Sequence, residues 1–204
     1  MLAGVNGAGK SSIGGATIRA FGGDYYDPDE AARALMAASG SLDQARANAL
    51  AWQQGRRLLE RAIAERLDFA FETTLGGATM TRLLAEATAA GIDVHVWYVG
   101  LQDLPMHIAR VRARVARGGH HIADGVIARR FEHSRLNLIH LLPALASLRV
   151  YDNSADADPA QGLAPQPSLV LHTLARRIVA PDDLSRTPRW AKPIVAAAIA
   201  LHSR

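Results

Sequence analysis

The sequence predicts an α/β fold, a three-layer P-loop sandwich with a parallel core sheet and a helical, arginine-rich lid, and three observations carry that expectation. The first is Gly4-Val5-Asn6-Gly7-Ala8-Gly9-Lys10-Ser11, which fits the phosphate-binding pattern G-x-x-x-x-G-K-[ST]. The second is the alternation, after this loop, of helix-period segments with short β-branched or aromatic runs. The third is a concentration of arginines between Arg110 and Arg135 on two helical segments joined by Gly118-Gly119.

Each position of the loop has a mechanical reason. Gly4, Gly7 and Gly9 let the backbone turn tightly and approach phosphate oxygens that a Cβ would obstruct. Asn6, Ala8 and Ser12 complete the nucleotide-binding set, their N–H groups pointing at the anion with the partial positive charge of a helix N-terminus behind them. Lys10 reaches the β/γ-phosphates, and the Ser11 hydroxyl holds Mg²⁺. The expected helix runs from Ser12 to Phe21. Only Met1, Leu2 and Ala3 precede the loop, whereas a strand averages about five or six residues. The expectation is therefore a start upstream of Met1, or a chain shortened at the cost of ladder hydrogen bonds worth ~0.5 to 1.5 kcal/mol each.

The remaining elements follow in order. Tyr25-Tyr26 reads as a short second strand after a Gly22-Gly23-Asp24 turn, and Asp27-Pro28 as an N-cap with proline at the first helical position. That places Asp29 in the first turn beyond a strand end, where ligands of open α/β sheets collect and a carboxylate can act as general base; complementing the helix dipole is the competing role. Ser41 is the expected N-cap of a long helix to about Arg66, with an apolar stripe of Leu42, Ala45, Ala49, Trp52, Leu59, Ala62 and Ile63. Asp68 to Thr74 is the third strand. At its exit Glu72 can hold a metal through water or accept a substrate hydroxyl, and Thr73 can donate to an anion; strand-end solvation is the plain alternative.

A helix from Ala78 to Ala90 ends at Gly91, and Ile92 to Val99 is the fourth strand, with His95 a packed strand residue. Asp103 to Arg117 is helical with Arg110, Arg114 and Arg117 on one face. A second helix from Ala123 or Asp124 carries Arg129, Arg130 and Arg135. Together they read as a lid, residues 110 to 135, that closes on phosphates and excludes water. His120 in the hinge is a candidate acceptor contact. Leu138 to Leu148 reads as an apolar helix broken at Pro143, Arg149 to Asp152 as the fifth strand, and Asn153 after it as a contact to the nucleotide base. A hairpin and a last helix fill residues 168 to 204.

The 204 residues are expected to form a single domain, and 49% hydrophobic with 21% charged residues is the balance of a soluble globular protein. No apolar run approaches the ~18 residues of a membrane span and no signal-peptide layout opens the chain, so the expected location is the cytoplasm. Cysteine is absent, which excludes disulfides and cysteine metal sites. Lys10 and Lys192 are the only lysines in an arginine-rich chain of net charge +4. Clustered arginines with few, scattered aromatics suit a nucleoside triphosphate better than a nucleic-acid track.

Taken in order, the loop, Asp27-Pro28-Asp29-Glu30, Phe71-Glu72-Thr73-Thr74-Leu75, Arg114 to His120, Arg129-Arg130-Phe131, Ser134 to Leu138 and Asp152-Asn153-Ser154 resemble the zeta-toxin-like P-loop kinases. The resemblance covers residues 1 to about 154. It implies a sheet of strand order 2-3-1-4-5, ATP or GTP with Mg²⁺, and transfer of the γ-phosphate to a small-molecule hydroxyl, with a nucleotide sugar such as UDP-N-acetylglucosamine as one candidate acceptor. It further implies Asp29 as the base, Arg117 and Arg130 (with Arg129 a close alternative) as stabilisers of the transferring phosphate, Glu72, Thr73 and His120 on the acceptor side, and an antitoxin as partner. The alternative reading is a nucleotide-binding switch or inactive toxin relative that acts through a protein partner.

Overall fold

The computed structural model describes residues 1–15, 25–155 and 166–203. Among the described residues, seven strands form one sheet in the order β2-β3-β1-β4-β5-β6-β7. The five N-terminal strands are β1 (Leu2–Ala3), β2 (Tyr25–Tyr26), β3 (Ala70–Thr73), β4 (His95–Gly100) and β5 (Ser147–Asp152), and they pair in parallel. The predicted order 2-3-1-4-5 is thus the order observed. The hairpin β6 (Ser168–Leu174) and β7 (Arg177–Ala180) continues the sheet antiparallel to β5.

Short as it is, β1 is the middle of the parallel sheet. Leu2 pairs with Glu72 on one side and Trp97 on the other, and the pairing extends to Met1, whose carbonyl accepts from the Trp97 N–H at 3.0 Å. Leu2 and Ala3 are fully buried. A strand covered on both faces and bonded on both edges reads as apolar, which is why Leu2-Ala3 suffices.

Among the described residues, six α-helices flank the sheet: α1 (Pro28–Ser39), α2 (Gln44–Glu65), α3 (Ala78–Ala89), α4 (Leu104–Ala116), α5 (Asp124–Leu141) and α6 (Lys192–His202). Their ends follow ordinary capping chemistry. Asp27 accepts from the N–H groups of Asp29 and Glu30 with Pro28 in the first turn, and Gly91, at φ +74°, follows α3. Among the described residues no helix is long and apolar enough to cross a membrane.

Several sequence expectations are corrected. Asp43, not Ser41, caps α2, its carboxylate accepting from the Arg46 N–H at 2.7 Å. The buried face of α2 is Ala47, Ala51, Gly55, Leu59 and Ala62, so its N-terminal half is turned away from the predicted stripe and Trp52 is exposed. The reason is close packing: Ala47 and Ala51 meet Ala32 of α1, and a Cβ on Gly55 would lie 2.6 Å from the Tyr26 ring. Small residues let the elements approach where larger apolar ones would hold them apart. α5 runs to Leu141, Leu142–Ala144 is a 3₁₀ turn at Pro143, and β5 already starts at Ser147, replacing the helix expected through Leu148. β3 and β4 start later than expected, at Ala70 and His95. His95 is exposed rather than packed, with Nδ1 2.9 Å from Ser147 Oγ. The helix expected from Ser12 to Phe21 is described only as a π-helical turn over Ser11–Gly15; its remainder, and the Gly22-Gly23-Asp24 turn, lie outside the described residues.

Polar ties set the loops at the carboxyl end of the sheet. Ser134 Oγ donates to the Thr74 carbonyl at 2.7 Å and accepts from the buried Tyr98 hydroxyl at 3.0 Å, and Asn137 Nδ2 donates to the Leu75 carbonyl at 2.8 Å. Burial pushes the Tyr98 phenol up to about 12, so it remains a donor. On the other side, Asp152 accepts from Trp190 Nε1 at 3.0 Å, and the Trp190 ring fills the space that a Cβ on Gly100 would need.

Candidate active site

The loop between β1 and the π-helical turn has the backbone that its glycines permit. Gly4, Gly7 and Gly9 have φ of +140°, +82° and +86°. A Cβ on Gly4 would lie 2.1 Å from the Val99 carbonyl oxygen, so this position is closed to any larger residue by space as well as by φ. Val5 to Lys10 is largely sequestered, with Ala8 fully buried and Lys10 only 6% exposed.

Lys10 Nζ lies 3.3 Å from Glu72 Oε1 and 3.4 Å from the Val5 carbonyl oxygen. The other Glu72 oxygen accepts from Ser11 Oγ at 2.9 Å and from the Tyr25 hydroxyl at 2.8 Å. Strand β3 delivers Glu72 to the loop because it lies beside β1, where Leu2 and Glu72 are paired. An ammonium, a hydroxyl and a carboxylate therefore converge at the mouth of the loop, a donor set suited to phosphate oxygens and to a hard, oxygen-seeking cation. Among the described residues there is no cluster of three or more acidic or histidine side chains able to hold a metal alone, so a cation here would draw further ligands from phosphate and water.

A cleft of about 1330 Å³ opens from this point between the loop, α1, α2, the loop after β3 and the α4–α5 pair. Asn6, Gly7, Gly9, Lys10, Ser11, Asp29, Glu72, Thr73, Arg117, His120, Arg130 and Asn153 all line it. Gly4 and Ala8 sit behind as packing, and the Ser12 side chain lies outside the described residues.

The arginines divide the cleft differently from their spacing in sequence. Arg130 is part-buried and donates from Nη1 to Asn6 Oδ1 at 2.8 Å, directly on the loop. Burial and neighbouring Arg129 lower its pKa, with Asp29 opposing them. Arg117 is exposed at the end of α4, where its Nε bonds to the Ala113 carbonyl of its own helix at 3.2 Å. Arg114 meets Asp29, Nη1 to Oδ2 at 3.3 Å. Thr73 Oγ1 accepts from the Leu75 N–H at 3.0 Å, and His120 is part-buried among Asp29, Arg114, Arg130 and Arg33, its pKa lowered first by burial.

Residues that the sequence did not single out are His107, Tyr25 and Arg114 in its role beside Asp29. His107 is almost fully buried, donates from Nδ1 to the Asn6 carbonyl at 2.8 Å, and packs edge-on to Phe131 at 5.5 Å between centroids. Burial pushes its pKa down to about 4. A lone histidine in a helix-period stretch gives no local signal of this contact, whose partner is 101 residues away. Asn153, foreseen as a base contact, donates from Nδ2 to the Ala8 carbonyl at 2.9 Å, while its buried Oδ1 has no hydrogen-bond partner.

No established family profile matches the chain. An uncharacterized protein of Haemophilus influenzae is 31% identical over 132 residues, covering 63% of this chain and 88% of the relative. In three dimensions the chain resembles one in the crystal structure of AvrRxo1-ORF1:-ORF2 with ATP, with a TM-score of 0.66 at 13% identity over 97% of this chain. It spans 62% of that larger chain. A chain from the PezAT chromosomal toxin-antitoxin system of Streptococcus pneumoniae is matched over 100% of this chain and 86% of that one, with a TM-score of 0.52 at 14% identity. At such identities the likeness speaks for the fold. The chain belongs to one family with the Haemophilus influenzae protein, and its architecture is the zeta-toxin-like P-loop kinase fold.

Proposed function

We propose that the protein is a kinase that transfers the γ-phosphate of ATP or GTP to a hydroxyl of a small molecule, with a nucleotide sugar as one candidate acceptor. The observation that carries this reading is the single cleft holding a glycine-built anion cradle with Lys10 and Ser11 at one end and the carboxylate of Asp29 at another. A nucleoside triphosphate fits the residues present. The loop has the positive φ at Gly4, Gly7 and Gly9 that an inward-facing row of N–H groups needs, and the buried, unpartnered Asn153 Oδ1 can accept from a base amino group. Ser11 and Glu72 have the hard oxygens that would hold Mg²⁺, which would supply neutralisation of phosphate charge there.

In this reading Lys10 and the loop N–H groups bind and orient the triphosphate, and Arg130, anchored on Asn6, lies against the same phosphates. Asp29 orients the acceptor hydroxyl and takes its proton, with Arg114 fixing the carboxylate. Arg117, exposed at the end of its helix, adds charge for the transferring phosphate, and His120 completes the acceptor side. Thr73 assists there through its hydroxyl. The two-protein complexes in which the structural neighbours occur support an antitoxin-like protein as partner.

The test is ³¹P NMR of the full chain with ATP and Mg²⁺, with and without UDP-N-acetylglucosamine. The expected result is a new phosphomonoester resonance that requires the sugar nucleotide. Lys10→Ala should abolish it, and Asp29→Asn should keep nucleotide binding while cutting transfer by about 10²-fold or more. Near-normal transfer by Asp29→Asn would remove Asp29 from the role of base. ATP binding without any transfer to a panel of hydroxyl compounds would favour the nucleotide-binding switch instead.

A further inference from the structure

A loop that turns its N–H groups toward an anion must turn its carbonyls outward, and outward carbonyls that are buried have to be met by donors. The loop meets one of them itself. The Val5 carbonyl accepts from the Ala8 N–H at 3.1 Å and from Lys10 Nζ at 3.4 Å. The carbonyls of Asn6 and Ala8 are met from outside, by His107 Nδ1 at 2.8 Å and Asn153 Nδ2 at 2.9 Å.

A carbonyl oxygen can only accept, so His107 must carry its proton on Nδ1 and Asn153 must turn its amide nitrogen, not its oxygen, toward the loop. Both side chains are almost fully buried, at 1% and 2% exposure. Each is held by other elements: His107 sits on α4 against Phe131, and the Asn153 N–H bonds to the Gly100 carbonyl at 3.0 Å. The same two residues also press on the loop sterically. A Cβ on Gly7 would lie 2.7 Å from the His107 carbonyl oxygen, and one on Gly9 would lie 2.6 Å from Asn153 Nδ2.

Resting on the reading of this loop as a phosphate cradle, we propose that His107 and Asn153 are positioning residues that lock the loop in its anion-binding conformation by tying off its outward carbonyls. Neither need touch the nucleotide for this. A loop freed to sample other conformations binds with an apparent affinity reduced by the fraction of time it is competent, so loss of either tie weakens phosphate binding without removing any phosphate contact. The role of Asn153 thus differs from the base contact foreseen for it, and its free Oδ1 leaves both roles compatible.

The experiment titrates the full chain with inorganic triphosphate and Mg²⁺ by calorimetry, a probe with no base or sugar, so that a base contact cannot register. His107→Phe keeps a ring against Phe131 and removes the donor; His107→Asn restores a donor at the δ position; Asn153→Leu removes the second tie at similar volume. We expect His107→Phe and Asn153→Leu each to weaken triphosphate binding about ten-fold or more, and His107→Asn to recover most of the loss. Folded variants that bind like the wild type overturn the positioning role. Should His107→Phe fail to fold by circular dichroism, Asn153→Leu and the donor-retaining His107→Asn decide the question in the same way. A wild-type chain that does not bind triphosphate at all overturns the phosphate-cradle reading itself, which is a distinguishable result.

Discussion

The two ends of the cleft are built on different principles. At the loop, geometry comes from backbone: three glycines at positive φ, carbonyls tied to buried donors, and an ion pair whose members are 6% and 12% exposed. At the lid, geometry comes from long side chains in water: Arg114 and Asp29 are 37% and 45% exposed, and Arg117 bonds only to its own helix. A buried, over-determined loop holds one shape whatever the solvent does, whereas exposed ion pairs are weak, screened by salt and easily exchanged. On the proposed reading, the rigid end would hold the anion and the exposed charges of the other end would adapt to the acceptor.

Gly4 tests the rigid end most severely. A Cβ there would sit 2.1 Å from the Val99 carbonyl oxygen at a φ of +140° that an L side chain rarely adopts. The Val99 backbone cannot yield without shifting β4 beside β1, so Gly4→Ala should cost ~4 kcal/mol or more of stability, enough to unfold a marginal domain. Urea denaturation followed by circular dichroism measures it. A loss below about 1 kcal/mol would mean that the loop deforms readily, and the contrast between the two ends would collapse.

What was legible in the sequence follows the same division. The loop's backbone was readable because its rule is local: glycines at fixed spacing within eight residues foretell the tight turns, and Gly4, Gly7 and Gly9 take positive φ. The strand order, the Asp27 cap and the placement of Asp29, Glu72 and Arg130 around one cleft followed from the motif order. The misreadings came where a distant partner decides. The stripe on α2 was misjudged because Ala47, Ala51 and Gly55 are chosen by contact with Ala32 and Tyr26, not by hydrophobicity. His107 carried no signal because its partner is a backbone carbonyl, and the pairing of Arg114 with Asp29 depends on a turn of helix that the spacing of the arginines leaves open.

His107 sharpens the comparison from the side of pH. Burial, reinforced by Lys10 and Arg110 and opposed by the bond to Asn6 and by Asp103, lowers its pKa from 6.5 to about 4. Between those values the unfolded chain binds the proton and the folded chain does not. Stability from this group is therefore complete above about pH 6.5 and is lost as the pH falls through about 4, a total of roughly 3 kcal/mol. An NMR titration of the His107 ring should show no protonation down to about pH 5, and denaturation of the wild type at pH 7 and pH 4.5 should show the accompanying loss. A ring that titrates near 6.5 would mean that water reaches the loop's underside, and the rigid end would be less sealed than its hydrogen bonds imply.

The smallest effect belongs to the lid. Arg114 and Asp29 are more than a third exposed and 3.3 Å apart, so their pairing in water is worth little to folding. Two further nitrogens of Arg114, Nε and Nη2, are sequestered without hydrogen-bond partners, and its stem packs on Gly119, so removal also relieves some unmet polarity. Arg114→Ala should accordingly change stability by less than about 1 kcal/mol, with a difference that shrinks as salt is raised from low to moderate ionic strength. Its consequence should appear instead in the orientation of the Asp29 carboxylate, as a lower rate of phosphoryl transfer with triphosphate affinity unchanged. Denaturation at two salt concentrations measures the first part, and the transfer rate by ³¹P NMR beside a triphosphate titration measures the second. A stability loss above about 2 kcal/mol, insensitive to salt, would show that this pair is a structural bond like those of the loop, and that the two ends of the cleft are not different after all.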